Sequence, residues 1–279
     1  MRKQKAESGK PNAKNFLPLT YLRSVEELRC GARTVKDHPK RKIERLWDLI
    51  VNLKEDLEED LSGMGYGVRG MVHTSAVIYA PENVLIEEGA QVEACAALDA
   101  RSGPIYIGKN TVIRPQSYLR GPLSIGHECR IGGEVTHTIF HGYSNKAHYG
   151  FIGHSYIGEW VNLGAGTTNS NLKNTYGTVK VWVNGKEVDS GQQFLGCFIG
   201  DHAKTGIGTL INTGAVIGFG ANVLGGSVTP KYVPDFQWSE SEKYRLEAFL
   251  KSAKIMMDRR GKKLTSAEID KISERWGIV

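Results

Sequence analysis

The chain has 279 residues, 40% of them hydrophobic and 24% charged, with a formal net charge of +6. This is a soluble composition, long enough for one large domain or one domain with appendages, and no stretch approaches the roughly 20 uninterrupted apolar residues of a membrane span. Four scattered cysteines (Cys30, Cys95, Cys129, Cys197) exclude a zinc-finger or disulfide framework and imply reduced thiols in a cytoplasmic protein.

Residues 1–15 carry five Lys/Arg and one Glu and have no apolar run, so they read as a disordered basic tail and not as a secretory signal. Residues 16–68 form an N-terminal segment. Within it 41–61 read as a helix, with Ile43, Leu46, Trp47, Ile50, Leu57 and Leu61 on one face and a stop at Ser62-Gly63. Residues 237–279 form a C-terminal segment with net charge +3 in 240–279. Leu246, Phe249, Leu250, Ala253, Met256 and Met257 make a second amphipathic stripe. A last short helix starts at Thr265, where Glu268 completes a capping box, and ends before Gly277. These appendages are expected to cap the ends of the central domain. With net +4 in the first 15 residues, the segment 16–239 is left near −1, so no nucleic-acid partner is expected.

The central domain, 69–236, is marked by glycine: 24 of the 33 glycines lie between Gly103 and Gly226. Here aliphatic residues recur every six positions. Ile107, Ile113, Leu119, Ile125 and Ile131 keep the beat, Phe151, Ile157 and Leu163 resume it, and Ile199, Thr205, Ile211, Ile217 and Val223 form a third block. Ala80, Ile86, Val92 and Leu98 are a weaker upstream set. Small or apolar residues follow four positions later, as at Thr111, Ser117, Ala203, Thr209 and Ala215. Such a period is neither helical nor simple strand alternation, and it belongs to a mainly β fold, a parallel β-helix of hexapeptide repeats. Each hexapeptide supplies a short strand and a turn. Its aliphatic side chain stacks on the equivalent one coil away, and the glycine after it is expected to take the turn's unusual dihedrals. The beat fails at 137–150 and at 170–198, which are expected to form loops. Asn184-Gly185, between VKVWV and KEV, signals a hairpin.

The repeat resembles that of the left-handed β-helix acyltransferases, and the handedness rests on that resemblance. Within the group, Ile113-Arg114-Pro115, the run Asn145-Lys146-Ala147-His148, the string IGEWVNLGAGT at 157–167 and Asn171 resemble the acetyltransferase half of the bifunctional UDP-N-acetylglucosamine pyrophosphorylase/glucosamine-1-phosphate N-acetyltransferase family. The strings FLPLTYLRSVEELRCG and GDHAKTGIGTLINTG resemble its divergent bacterial branch. The resemblance implies an acetyl-CoA-dependent N-acyltransferase. Its acceptor would be an amino sugar phosphate or a nucleotide sugar, with no metal, in a homotrimer whose sites lie between subunits. It implies His148 as general base. A histidine with an ordinary pKa near 6.5 suits removal of a proton from an attacking amine. It also implies Arg114, Lys146, Asn162 and Asn171 around the sugar phosphate, and Ala165, Lys180 and Lys204 along coenzyme A. The alternatives are structural: a loop histidine, a surface ion pair, a solenoid asparagine ladder.

Three positions depart from the family pattern. Thr136 stands for a lysine, and Phe151 and Leu172 stand for tyrosines, which puts the acceptor in question. The segment before the solenoid is too short for a nucleotidyltransferase domain, so no nucleotidyl transfer is expected of this chain alone. Two other readings use the same fold: a non-catalytic sugar-nucleotide-binding or scaffolding solenoid, and a γ-carbonic-anhydrase-type zinc enzyme with ligands among His141, His148 and His154.

Overall fold

The computed structural model describes residues 11–238 and 242–278; the first ten residues of the expected basic tail lie outside them. From Gly67 to Val233 the chain winds as a left-handed parallel β-helix whose short strands line up on three sides of a prism. The first face has nine strands, from Gly67–Val68 to Tyr232–Val233, and the second has eight, from Met71–Val72 to Asn222–Val223. The third has five, from Val77–Tyr79 to Phe151–Gly153, and Thr168–Asn169 pairs with Leu210–Ile211 further along.

The sixfold beat becomes vertical stacks. On the first face Ile86, Ile107, Ile125, Phe140, Ile157, Ile199 and Ile217 pair in register, each with 0% exposure. Burying each such side chain stabilises by about 1.5–3 kcal/mol, and only the neighbouring coils provide the cover. Two expected members are out of phase. Ile78, not Ala80, pairs with Leu98, and Ile152, not Phe151, pairs with Val135. The second slip has a visible cause: Phe140, 15 positions after Ile125, takes the place on the stack that full hexads would give to residue 143. The segment 137–150 therefore does not loop out. Ile139–Gly142 and Asn145–Lys146 are strands in the wall of a shortened coil.

The glycines that follow the aliphatic positions serve a different purpose from the one expected. They do not sit at positive φ; they let stacked coils approach. A Cβ on Gly126 would lie 2.0 Å from the carbonyl oxygen of His141, and one on Gly218 would lie 2.4 Å from the amide nitrogen of Asp235. The left-handed turns between the first two faces are held by Asn110, Glu128, Tyr143, Trp160 and His202, with φ between 52° and 59°.

The appendages line the sides of the prism instead of capping its ends. The N-terminal segment covers the outer side of the first face. There Leu85, Tyr106, Ile139, Tyr156 and Phe198 pack against Leu28, Leu49, Leu53 and Leu57. Helices α1 (Asp48–Val51) and α2 (Leu53–Met64) replace the expected 41–61. The Asp48 carboxylate accepts from the amides of Glu44 and Arg45 at 2.7 and 2.8 Å, a turn that delays the helix. Gly65, at φ 82°, ends it. Arg23 ties this segment to the coils through Glu159 (2.8 Å) and Asp201 (2.9 Å). The hairpin Lys180–Val183/Lys186–Asp189 turns through Asn184 and Gly185, both at positive φ, and buries Val179, Val181 and Val183 in the same cluster. At the other end α3 (Leu246–Asp258) and α4 (Ser266–Ile278) pack Phe249, Met257 and Ile272 with Trp160, Phe219 and Phe236 along a corner. The capping box at Thr265 and Glu268 is present, and α4 runs through Gly277.

Candidate functional site

Strand alternation sends the residue before each inward-facing side chain outward. On the second face this places Arg130, Asn145, Asn162 and Lys204 in one outer column. Helix α3 ends over that column. Arg260 donates from Nη2 to Asn145 Oδ1 at 3.0 Å, and its Nη1 lies 3.7 Å from Glu128 Oε2. Between column and helix end lies a groove of about 790 Å³, lined also by His148, Gly164, Ala165, Ile207 and Arg259. His148 is exposed there, and its ring makes no hydrogen bond among the described residues. An imidazole in this position is free to meet a ligand amine.

The structure thus brings together His148, Asn162 and Ala165. Lys204 is next in the column but half-buried. It donates to the carbonyl of His202 at 3.2 Å, and burial pushes its pKa down to about 8. Lys146 is not a surface cation. It fills the inward stack after Ile131, is 2% exposed, and donates to the carbonyls of Gly132 (2.7 Å) and His148 (3.0 Å). A phosphate cannot reach it, so its role is to hold the backbone that carries His148. Arg114 faces solvent and pairs with Glu93 at 3.3 Å, outside the groove wall. Lys180 is exposed at the root of the hairpin and also outside it.

Asn171 lies on a different side of the chain. It belongs to a second groove of about 510 Å³ with Arg120, Thr136, Phe151, His154 and Phe194. Its Nδ2 lies 2.8 Å from His154 Nδ1, and His154 stacks on His137 with ring centres 4.5 Å apart. Burial pushes His154 down to about 3 and lowers His137, so both rings are neutral. Within one chain, therefore, Asn171 does not join His148. The three histidines weighed as zinc ligands are also apart: His141, half-buried, lies 2.9 Å from the Tyr156 hydroxyl, and His154 is held by Asn171. Among the described residues no group of three His, Cys, Asp or Glu could hold a metal.

Arg130, Arg259 and Arg260 were not singled out from sequence. Arg130 was accessible to the hexapeptide phase, being the outward residue before Ile131. No local signal could place Arg259 and Arg260, because only the docking of α3 sets them against Asn145.

A prism of hexapeptide coils is the architecture of the left-handed β-helix acyltransferases. The solenoid half of the chain is similar to parts of bifunctional sugar-phosphate enzymes, as its motifs suggested. It is 40% identical over 153 residues to the bifunctional sugar-1-phosphate nucleotidylyltransferase/acetyltransferase of Sulfurisphaera tokodaii, covering 54% of this chain and 37% of that protein. It is 30% identical over 156 residues to the bifunctional protein GlmU of a Picosynechococcus species, covering 54% of this chain and 29% of that protein. The chain thus spans about a third of the length of these relatives. No family model matches it. Among solved structures, AntD, an N-acyltransferase from Bacillus cereus in complex with dTDP and 3-hydroxybutyryl-CoA, is 16% identical with a TM-score of 0.28, over 64% of this chain and 80% of that one. A likeness of that size supports no inference about the site.

Proposed function

We propose that this chain is an acyl-CoA-dependent N-acyltransferase whose acceptor is an amino sugar phosphate or a nucleotide sugar. The observation that supports this most is the exposed imidazole of His148 in a groove whose wall carries amides and guanidiniums and no carboxylate. His148 takes a proton from the acceptor's ammonium group. The freed amine attacks the thioester carbonyl, and the tetrahedral intermediate releases its second nitrogen proton to solvent as it collapses to an amide. Coenzyme A leaves as the thiol, taking up the proton that the imidazole held. General-base assistance of this kind contributes about 10²–10⁴-fold. The small residues Gly164 and Ala165 leave room for an extended thioester arm beside the imidazole.

Three copies of the chain are proposed to assemble side by side. The grooves of His148 and Asn171 lie on different faces of one protomer, and exposed apolar side chains, Ile207 at 76% and Leu210 at 45%, stand on this part of the surface. Packing protomers together would cover them and could set one chain's Asn171 against another's His148. All four cysteines are free, which suits the reducing cytoplasm. No helix among the described residues is long and apolar enough to cross a membrane.

The test is direct. Purified protein receives acetyl-CoA and glucosamine 1-phosphate, then other amino sugars and their nucleotide derivatives, while free thiol is followed and the product weighed by mass spectrometry. Thiol release that depends on the acceptor supports the reading. Its absence across the panel, with protein shown to be folded, refutes it. Light scattering reports the oligomer.

A further inference from the structure

Three guanidiniums converge on the His148 groove, and one carboxylate answers them. Arg130, Arg259 and Arg260 all line it. Glu128 lies 3.7 Å from Arg260 Nη1 and 4.0 Å from Arg130 Nη2, and no Asp or Glu is part of the wall. The other bonds of these arginines are to neutral groups. Arg130 donates to the carbonyls of Asn110 (3.1 Å) and Cys129 (2.9 Å), and Arg260 donates to Asn145. No hydrogen bond engages the Arg259 guanidinium among the described residues; its backbone amide donates to the carbonyl of Ile255 at 3.4 Å. Burial, and then the neighbouring charge of Arg260, disfavour the charged form of Arg130. Gathering like charges in this way is unfavourable unless an anion joins them. Nor are they required to seat α3, which docks through Phe249, Ala253 and Met257, each at most 5% exposed.

We propose that Arg130, Arg259 and Arg260 form a phosphate-binding site at the rim of the His148 groove, with Arg259 and Arg260 delivered by the end of α3. Planar guanidiniums bind phosphate oxygens in pairs, so a diphosphate or a phosphomonoester is the matching ligand. Only the choice between the acyl donor and the sugar acceptor as its source rests on the acyl-transfer reading.

Calorimetric titration of the full chain with inorganic pyrophosphate, coenzyme A, dephospho-coenzyme A and glucosamine 1-phosphate tests this without turnover. The wild type binds pyrophosphate, and more weakly as salt is raised. Arg259→Ala weakens it about tenfold or more, Arg260→Lys weakens it less, and Lys254→Ala, on the same helix outside the groove wall, leaves it unchanged. If the variants lose coenzyme A to the same degree and keep glucosamine 1-phosphate, the site reads the donor; the reverse pattern assigns it to the acceptor. The Arg259 side chain has no internal bond to lose, so its variant keeps the fold, which circular dichroism verifies. Wild-type protein that binds none of these anions, or Arg259→Ala and Arg260→Ala proteins that bind them as the wild type does, overturns the proposal. Anion binding with no acyl transfer would leave this site standing while the proposed reaction fell.

Discussion

Lys146 occupies a place where the repeat calls for an aliphatic side chain, between Ile131 and the coil of Leu163. The perturbation to consider is Lys146→Met, which keeps the length and removes the charge. Burial pushes the lysine from 10.5 down to about 8. At about 1.4 kcal/mol per tenfold, the buried ammonium costs about 3 kcal/mol relative to the neutral amine. Methionine also removes the bonds to the carbonyls of Gly132 and His148, which contribute about 1.5–3 kcal/mol each from a charged donor. Near pH 7 these opposing effects leave a net destabilisation of only about 0–3 kcal/mol. The pH dependence is more diagnostic. Because the folded pKa lies below the unfolded one, the unfolded chain holds the proton more tightly between pH 8 and pH 10.5. Wild-type stability therefore gains about 3 kcal/mol relative to the variant as pH rises through that window. Urea unfolding followed by tryptophan fluorescence, for both proteins near pH 7 and near pH 10, measures the difference. A gap that does not widen with pH would refute the assignment of a charged ammonium inside the prism. In the acyl-transfer assay the variant should lose kcat with little change in KM for acetyl-CoA, since the backbone of His148 loses its tether.

His148→Ala should lower kcat by about 10²–10⁴-fold and leave the melting temperature unchanged, because the ring is exposed and unbonded; thiol release and differential scanning fluorimetry check the two halves. Gly126→Ala should destabilise by about 3 kcal/mol, since its Cβ would meet the His141 carbonyl at 2.0 Å and packed backbone cannot yield cheaply; urea midpoints measure it, and a neutral result would show the coils further apart than described. Burial holds His154 and His202 near 3 and His141 well below its usual value. These groups stay neutral in the fold but take up protons when unfolded, so stability should fall as pH drops below about 6.5, by up to about 1.4 kcal/mol per histidine per pH unit. A flat stability profile between pH 6.5 and pH 5 would contradict their burial.

The core and its period were legible because they are local. Ile107, Ile113, Leu119, Ile125 and Ile131 are all fully buried, as spacing alone implied, and the Asn184-Gly185 hairpin and the Thr265–Glu268 cap formed where short-range chemistry placed them. The failures share one cause. Phe151 and Ala80 were assigned by counting in sixes, but a coil that departs from full hexads resets the phase, and the length of a coil depends on how its turns fit those above and below. Lys146 was misplaced for the same reason: a charged residue reads as surface until the register shows it on the inner stack, with two carbonyls waiting.

Spacing of side chains along the chain determined the prism and the inward residues wherever the hexads run unbroken, as from Ile107 to Ile131, because strand and turn geometry act over a few residues. Tertiary structure alone decided that the appendages cover sides and not ends, that Arg259 and Arg260 meet Arg130 beside His148, and that Asn171 belongs to another face. Arg260 meets Asn145 across 115 positions, and each of these arrangements depends on the docking of whole surfaces, which no short-range pattern encodes.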